Sequence, residues 1–153
     1  MLGLLEDGVP KLGVIDLPFL GVRVDSGGVA DVGALEEAII GMGDAFHRGG
    51  ARLDAYLELS MSVHRSALRF RCVGAASVLW TWLVSGQIQG MVLAHNNPYD
   101  VVAGHAIARA AGAIVTDYAG APLTLGSSGA MAAVPGIQPE LVTLAADLAA
   151  AAP

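Results

Sequence analysis

Apolar positions along the chain fall into short blocks whose spacing switches between two residues and three to four. Residues 11–16 and 19–24 are apolar-rich runs of strand length joined through Leu17-Pro18, and Asp25-Ser26-Gly27-Gly28 follows as a turn. Residues 36–42 (EEAIIGM) read as a buried strand closing at Gly43-Asp44. Leu53, Tyr56, Leu57, Met61, His64 and Leu68 then recur at helical steps, which predicts an amphipathic helix with His64 on its apolar face as a core histidine. Residues 69–73 alternate charged and apolar side chains, as a strand with one solvated face does.

Gly74-Ala75-Ala76 opens a second helix, with Val78, Leu79, Trp82 and Leu83 on one face and Gly86 as its stop. Trp80 and Trp82 cannot share that face, so one belongs to the core and the other is a candidate interface residue. Residues 91–94 follow as a strand and Asn96-Asn97-Pro98 as a turn. An Ala-rich helix then runs over 101–111 to Gly112. Residues 114–118 and 130–134 read as strands around the loop Gly126-Ser127-Ser128-Gly129, and a last helix starts near Pro139 and runs through Leu148. This alternation from residue 36 onward predicts a layered α/β domain over residues 25–153. Residues 1–24 form a strand pair without a helix, with little strand material before residue 11, and are expected to be the remnant of an upstream sheet.

Composition narrows the classes. Of 153 residues, 54% are hydrophobic and 14% charged, so the chain can build a core and is not disordered. Residues 72–99 carry no charge, long enough to cross a bilayer of about 30 Å, but Gly86, Gln87, Gln89 and Gly90 split the stretch into two short pieces. No membrane span is expected, and residues 1–9, with Glu6 and Asp7, lack the basic start of a signal peptide. Eight Lys and Arg against 14 Asp and Glu give a net charge of −6, which speaks against nucleic acid or an anionic membrane as partner. The single cysteine, Cys72, excludes an internal disulfide and reads as an inert buried thiol; a reducing cytoplasm fits.

Asp100 is the outstanding carboxylate, because it ends a charge-free stretch and starts a helix whose next residues are apolar. It reads as an N-cap, or as a metal ligand at the mouth of an α/β sheet, and one oxygen can serve each role. His47, His64, His95 and His105 show no metal-ligand spacing, although His95 can line the same mouth. Neither Ser60 nor Ser85 lies in a Gly-x-Ser-x-Gly frame, and the 126–129 loop is a plain hairpin loop with no following basic residue or helix start to make it a phosphate cradle.

Gly74-Ala75-Ala76, Val84-Ser85-Gly86, Tyr99-Asp100-Val101-Val102-Ala103-Gly104 and the ending Ile107-Ala108-Arg109-Ala110-Ala111-Gly112-Ala113 together resemble the C-terminal half of the inositol monophosphatase family. Leu4 to Ile15 and Met131 to Pro135 are similar to strands of that family, and the likeness is most specific over 74–113. The resemblance implies an α/β-sandwich, a Mg²⁺-dependent phosphomonoesterase and a small phosphate ester as partner, such as inositol phosphate or histidinol phosphate. It further implies a homo-oligomer, a metal-ligand role for Asp100, and substrate contacts at Gly74, Ala75 and Ala76. Tyr99 stands for the family's tryptophan, and Leu93 for a carboxylate that grips substrate hydroxyls. The family's Asp-Pro-Ile/Val-Asp-Gly-Thr and Gly-Glu motifs do not occur, so the chain is expected to be a truncated phosphatase without a catalytic set of its own, or a non-catalytic α/β domain that kept the fold and lost the metal site.

Overall fold

The structure, a computed structural model, describes residues 1–45 and 50–151. The chain opens with a three-stranded antiparallel sheet of β1 (Leu2–Glu6), β2 (Val9–Leu17) and β3 (Val22–Val24), in that spatial order. β1 lies where the hydrophobic pattern predicts no strand. Its signal is the turn Asp7-Gly8, with φ of 51° and 76°, the dipeptide and left-handed backbone of a two-residue hairpin. The second expected run is shorter than its sequence. Pro18, which fixes φ and has no N–H to donate, starts a 3-10 turn over Pro18–Leu20.

The second sheet holds β4 (Ile39–Met42), β5 (Arg69–Cys72), β6 (Gly90–Leu93), β7 (Ile114–Thr116) and β8 (Ala130–Ala133) in the order β5-β4-β6-β8-β7. β4 runs parallel to β5 and β6, while β8 is antiparallel to both β6 and β7. The helices are α1 (Ala51–Ser66), α2 (Ala76–Val84), α3 (Pro98–Ala110), α4 (Gln138–Leu144) and α5 (Ala146–Ala150). Leu35–Glu37 forms a 3-10 turn before β4 rather than its first residues. The expected last helix is two short ones, with Ala145 at φ −84° and ψ 3° between them.

Two cores hold the layers together. Between the sheets, Ile15 and Val24 of the first meet Leu79, Trp80 and Leu83 of α2, Val101 and Ile107 of α3, and Met91 and Ala132 of the second. On the far face of the second sheet, Ile40, Met42, Val92 and Met131 pack on Tyr56, Leu59 and Val63 of α1 and on Leu141 and Leu148 of α4 and α5. The result is a four-layer α/β sandwich, as the alternation of elements implies. Helix α3 is buried along 101–108, so its neighbours need small residues. A Cβ on Gly13 would lie 2.1 Å from the Ala103 carbonyl oxygen, and one on Gly104 would lie 2.1 Å from Cγ of Trp80. Only glycine permits either approach.

Several side chains differ from their sequence expectation. In α1 the buried residues are Tyr56, Leu59 and Val63, while Leu57 and Met61 stay about half exposed. His64 follows Val63, so it points about 100° away from the buried stripe. It is exposed, with its ring edge on Phe70 at 5.8 Å, and is no core histidine. Cys72 is exposed because β5 is an edge strand. In α2 it is Trp80, fully buried, that joins the core with Leu79 and Leu83, whereas Trp82 is half-buried. Among the described residues no helix is long and apolar enough to cross a membrane.

Candidate functional site

Parallel strands β4, β5 and β6 end at the same edge of the sheet. The chain leaves β4 through α1 to reach β5 on one side, then crosses through α2 to β6 on the other. Helices α1 and α2 therefore cover opposite faces, and a crevice opens beyond the strand ends where the connections part. A cavity of about 330 Å³ occupies it. Gly43 and Asp44 enter from β4, Val73 through Ser77 from the β5–α2 connection, and Leu93, Ala94 and His95 from β6, with Asp100 added by α3. Gly74, Ala75, Ala76 and Asp100, singled out in the sequence, thus share one cavity with His95.

The α2 end of the cavity suits an anion. Ala75 precedes the helix in extended geometry and no side chain caps it. The first N–H groups of a helix lack intrahelical partners and carry partial positive charge, which an oxyanion can satisfy. Ala75, Ala76 and Ser77 line the cavity at this turn.

Asp100 is not an N-cap. Pro98 takes the first helical position and Asn97 the cap, since a proline's fixed φ suits the first helical residue, and this sets the helix start earlier than the apolar pattern suggests. Asp100 is the third residue of α3. Its N–H donates to the Asn97 carbonyl at 2.9 Å, and Asn97 Nδ2 donates to Asp100 Oδ2 at 3.3 Å. From the core, Trp80 Nε1 donates to the Asp100 carbonyl at 2.9 Å. The buried tryptophan therefore ties α2 to the first turn of α3.

Asp44 is the site residue that the sequence reading passes over; its signal is a carboxylate directly after a buried strand. Its Oδ1 accepts from Cys72 Sγ at 3.4 Å. A Cβ on Gly74 would stand 2.4 Å from Asp44 Oδ2, so glycine at 74 is what leaves room for this carboxylate. Desolvation and the bond to Asp44 raise the Cys72 thiol above its ordinary range. The 126–129 loop does not line the cavity. Its neighbourhood braces the turn before α3, since Asn96 Nδ2 donates to the carbonyls of Thr124 at 2.7 Å and Ser127 at 2.9 Å.

Two carboxylates, Asp44 and Asp100, face the cavity, and among the described residues no group of three or more His, Cys, Asp or Glu can hold a metal ion. Mg²⁺ demands near-octahedral oxygen coordination, and a two-metal centre needs several carboxylates to fix both ions. The described residues do not fit such a centre. His47 lies outside them.

The inositol monophosphatase family model matches residues 1–150. The inositol-1-monophosphatase ImpA of Mycolicibacterium smegmatis is 32% identical over 159 residues, covering 94% of this chain and 57% of that protein. The probable inositol 1-monophosphatase ImpA of Mycobacterium tuberculosis is 30% identical, covering 94% and 58%. The chain thus spans little more than half the length of these relatives. Among solved structures, an IMPase of Thermotoga maritima superposes with a TM-score of 0.82 at 22% identity, over 97% of this chain and 60% of that one. The inositol monophosphatase of Anabaena gives 0.78 at 26% identity, over 93% and 61%. The fold of this chain and its match along nearly its whole length agree: it belongs to the inositol monophosphatase family.

Proposed function

We propose that this chain forms the substrate wall of a phosphomonoesterase site for a small phosphate ester of the inositol phosphate or histidinol phosphate kind. The observation that carries the reading is the cavity at the ends of β4, β5 and β6, where the uncapped start of α2 and the carboxylate of Asp100 converge. In it the ester phosphate rests on the amides of the first α2 turn, Gly74, Ala75 and Ala76 give it close approach to the backbone, and Asp100 stands at the mouth as a cation-seeking carboxylate. Mg²⁺, when bound in a complete centre of this family, supplies Lewis-acid activation of the phosphoryl group. The carboxylates described here are too few to build that centre, so no step of hydrolysis is assigned to them. Residues 1–24 read as the remnant of a larger sheet, and residues 25–153 as the α/β domain. A non-catalytic α/β domain that keeps the fold without the metal site is the second reading.

Calorimetric titration of the purified chain with glycerol 2-phosphate, with and without Mg²⁺, separates these readings when run beside an assay of phosphate release. We expect binding without turnover. Gly74→Ala should weaken that binding, because the new Cβ displaces Asp44 across the cavity. Robust Mg²⁺-dependent phosphate release, abolished by Asp100→Asn, would overturn the donor count. No binding at all would leave the non-catalytic domain.

A further inference from the structure

Two buried tyrosines lie beneath the cavity, on the face of the second sheet opposite α2. Tyr56 of α1 is 5% exposed and Tyr118, just beyond β7, is 2% exposed. The Tyr56 hydroxyl donates to the carbonyl of Gly43 and the Tyr118 hydroxyl to the carbonyl of Leu93, the latter at 2.7 Å. Gly43 and Leu93 both line the cavity, at the ends of β4 and β6. They also touch each other, since a Cβ on Gly43 would stand 3.2 Å from Cδ2 of Leu93. Both strand ends are therefore held from below by hydroxyl groups that themselves lie outside the cavity.

The surroundings show a built polar network. Arg52 donates to the carbonyls of Ala94, at 2.9 Å, and Ser128. Burial raises both phenols, Tyr118 to about 12 against the pull of the Arg52 charge, so both are neutral donors at any working pH. Gly129 has no side chain where a Cβ would fall within 1.8 Å of the Tyr118 hydroxyl. The Gly43 carbonyl lies past the end of β4, and a buried carbonyl there needs a donor. Phenylalanine would fill the same core space as either tyrosine, so packing alone does not explain the two hydroxyls.

We propose that Tyr56 and Tyr118 are positioning residues that set, through the Gly43 and Leu93 carbonyls, the spacing of the strand ends from which Asp44 and His95 reach the cavity. This rests on the cavity being a phosphate-ester site. Neither tyrosine touches the ligand; each acts through a backbone carbonyl. A shift of the order of 1 Å in such a frame is enough to weaken a site strongly without unfolding the protein.

The test compares Tyr56→Phe, Tyr118→Phe and the double variant with Val63→Ala in the full chain. Val63 is a buried residue near the other end of α1, and its truncation lowers stability without reaching the strand ends. Affinity for glycerol 2-phosphate is read by calorimetry, melting temperature by circular dichroism, and the His95 ring signal by NMR. We expect each Tyr→Phe change to weaken binding about tenfold, within the loss that a misplacement of about 1 Å can cause, and to move the His95 signal. Val63→Ala should lower the melting temperature at least as much with unchanged affinity and an unmoved His95 signal. Affinity that simply follows melting temperature across all four variants would make the tyrosines structural and overturn the proposal. Should the unaltered chain fail to bind the probe, the site reading falls and takes this proposal with it.

Discussion

Acid should begin to destabilise this protein below about pH 6.5, and His105 is the reason. It sits inside α3, 5% exposed, and burial followed by the nearby Arg109 charge lowers its pKa from 6.5 to about 4. In the unfolded chain the imidazole regains its ordinary value, so below about pH 6.5 the unfolded state takes up a proton that the folded state refuses. Stability is therefore complete above pH 6.5 and falls as pH drops toward 4. The full difference is worth about 3 kcal/mol at most, and His105 borders a small surface crevice that admits some solvent screening. A fall of about 1 kcal/mol between pH 7 and pH 5 is the expected share, or roughly 2–4 °C in melting temperature. The assay is a series of thermal melts from pH 7.5 to pH 4.5 on the chain and on His105→Gln, a neutral side chain at every pH in the series. The two proteins share every other residue, so the difference between the curves isolates the histidine. Parallel curves, or an NMR titration placing His105 near 6.5, would refute the reasoning.

Gly104→Ala gains about 1 kcal/mol of helix propensity but drives a methyl group into the Trp80 ring, and overpacking of this kind costs about 1–3 kcal/mol. Net destabilisation in urea, with changed tryptophan fluorescence, is the expected result, and Trp80→Leu in the same chain should recover part of the loss; a neutral Gly104→Ala would mean that α2 and α3 pack differently. Leu2, Leu4 and Leu12 lie on the outer face of the first sheet at 78%, 54% and 65% exposure, a patch that favours self-association. Sedimentation at micromolar concentration should show dimers or larger species, reduced in Leu4→Lys/Leu12→Glu; a monomer in both would leave the patch without that role.

Much of this protein follows from local sequence alone. The alternating periods along residues 36–148 dictate strands and helices in the order found, because each element buries a face whose spacing must match its own geometry. The segment around Asp100 was legible for a similar reason, since its charge-free approach and turn mark a strand end meeting a helix start. Tertiary structure decided what periodicity cannot encode. Two stripes in α1 satisfy helical spacing, and only the position of the second sheet chooses Tyr56, Leu59 and Val63 over Leu57, Met61 and His64. Cys72 is exposed because β5 became an edge, a property of strand order rather than of the strand. Asp44 and Gly74 are thirty residues apart, and Tyr118 is twenty-five residues from the carbonyl it holds. Such pairs meet only after the strands have crossed over, so no window of local sequence contains the cavity or the contacts beneath it.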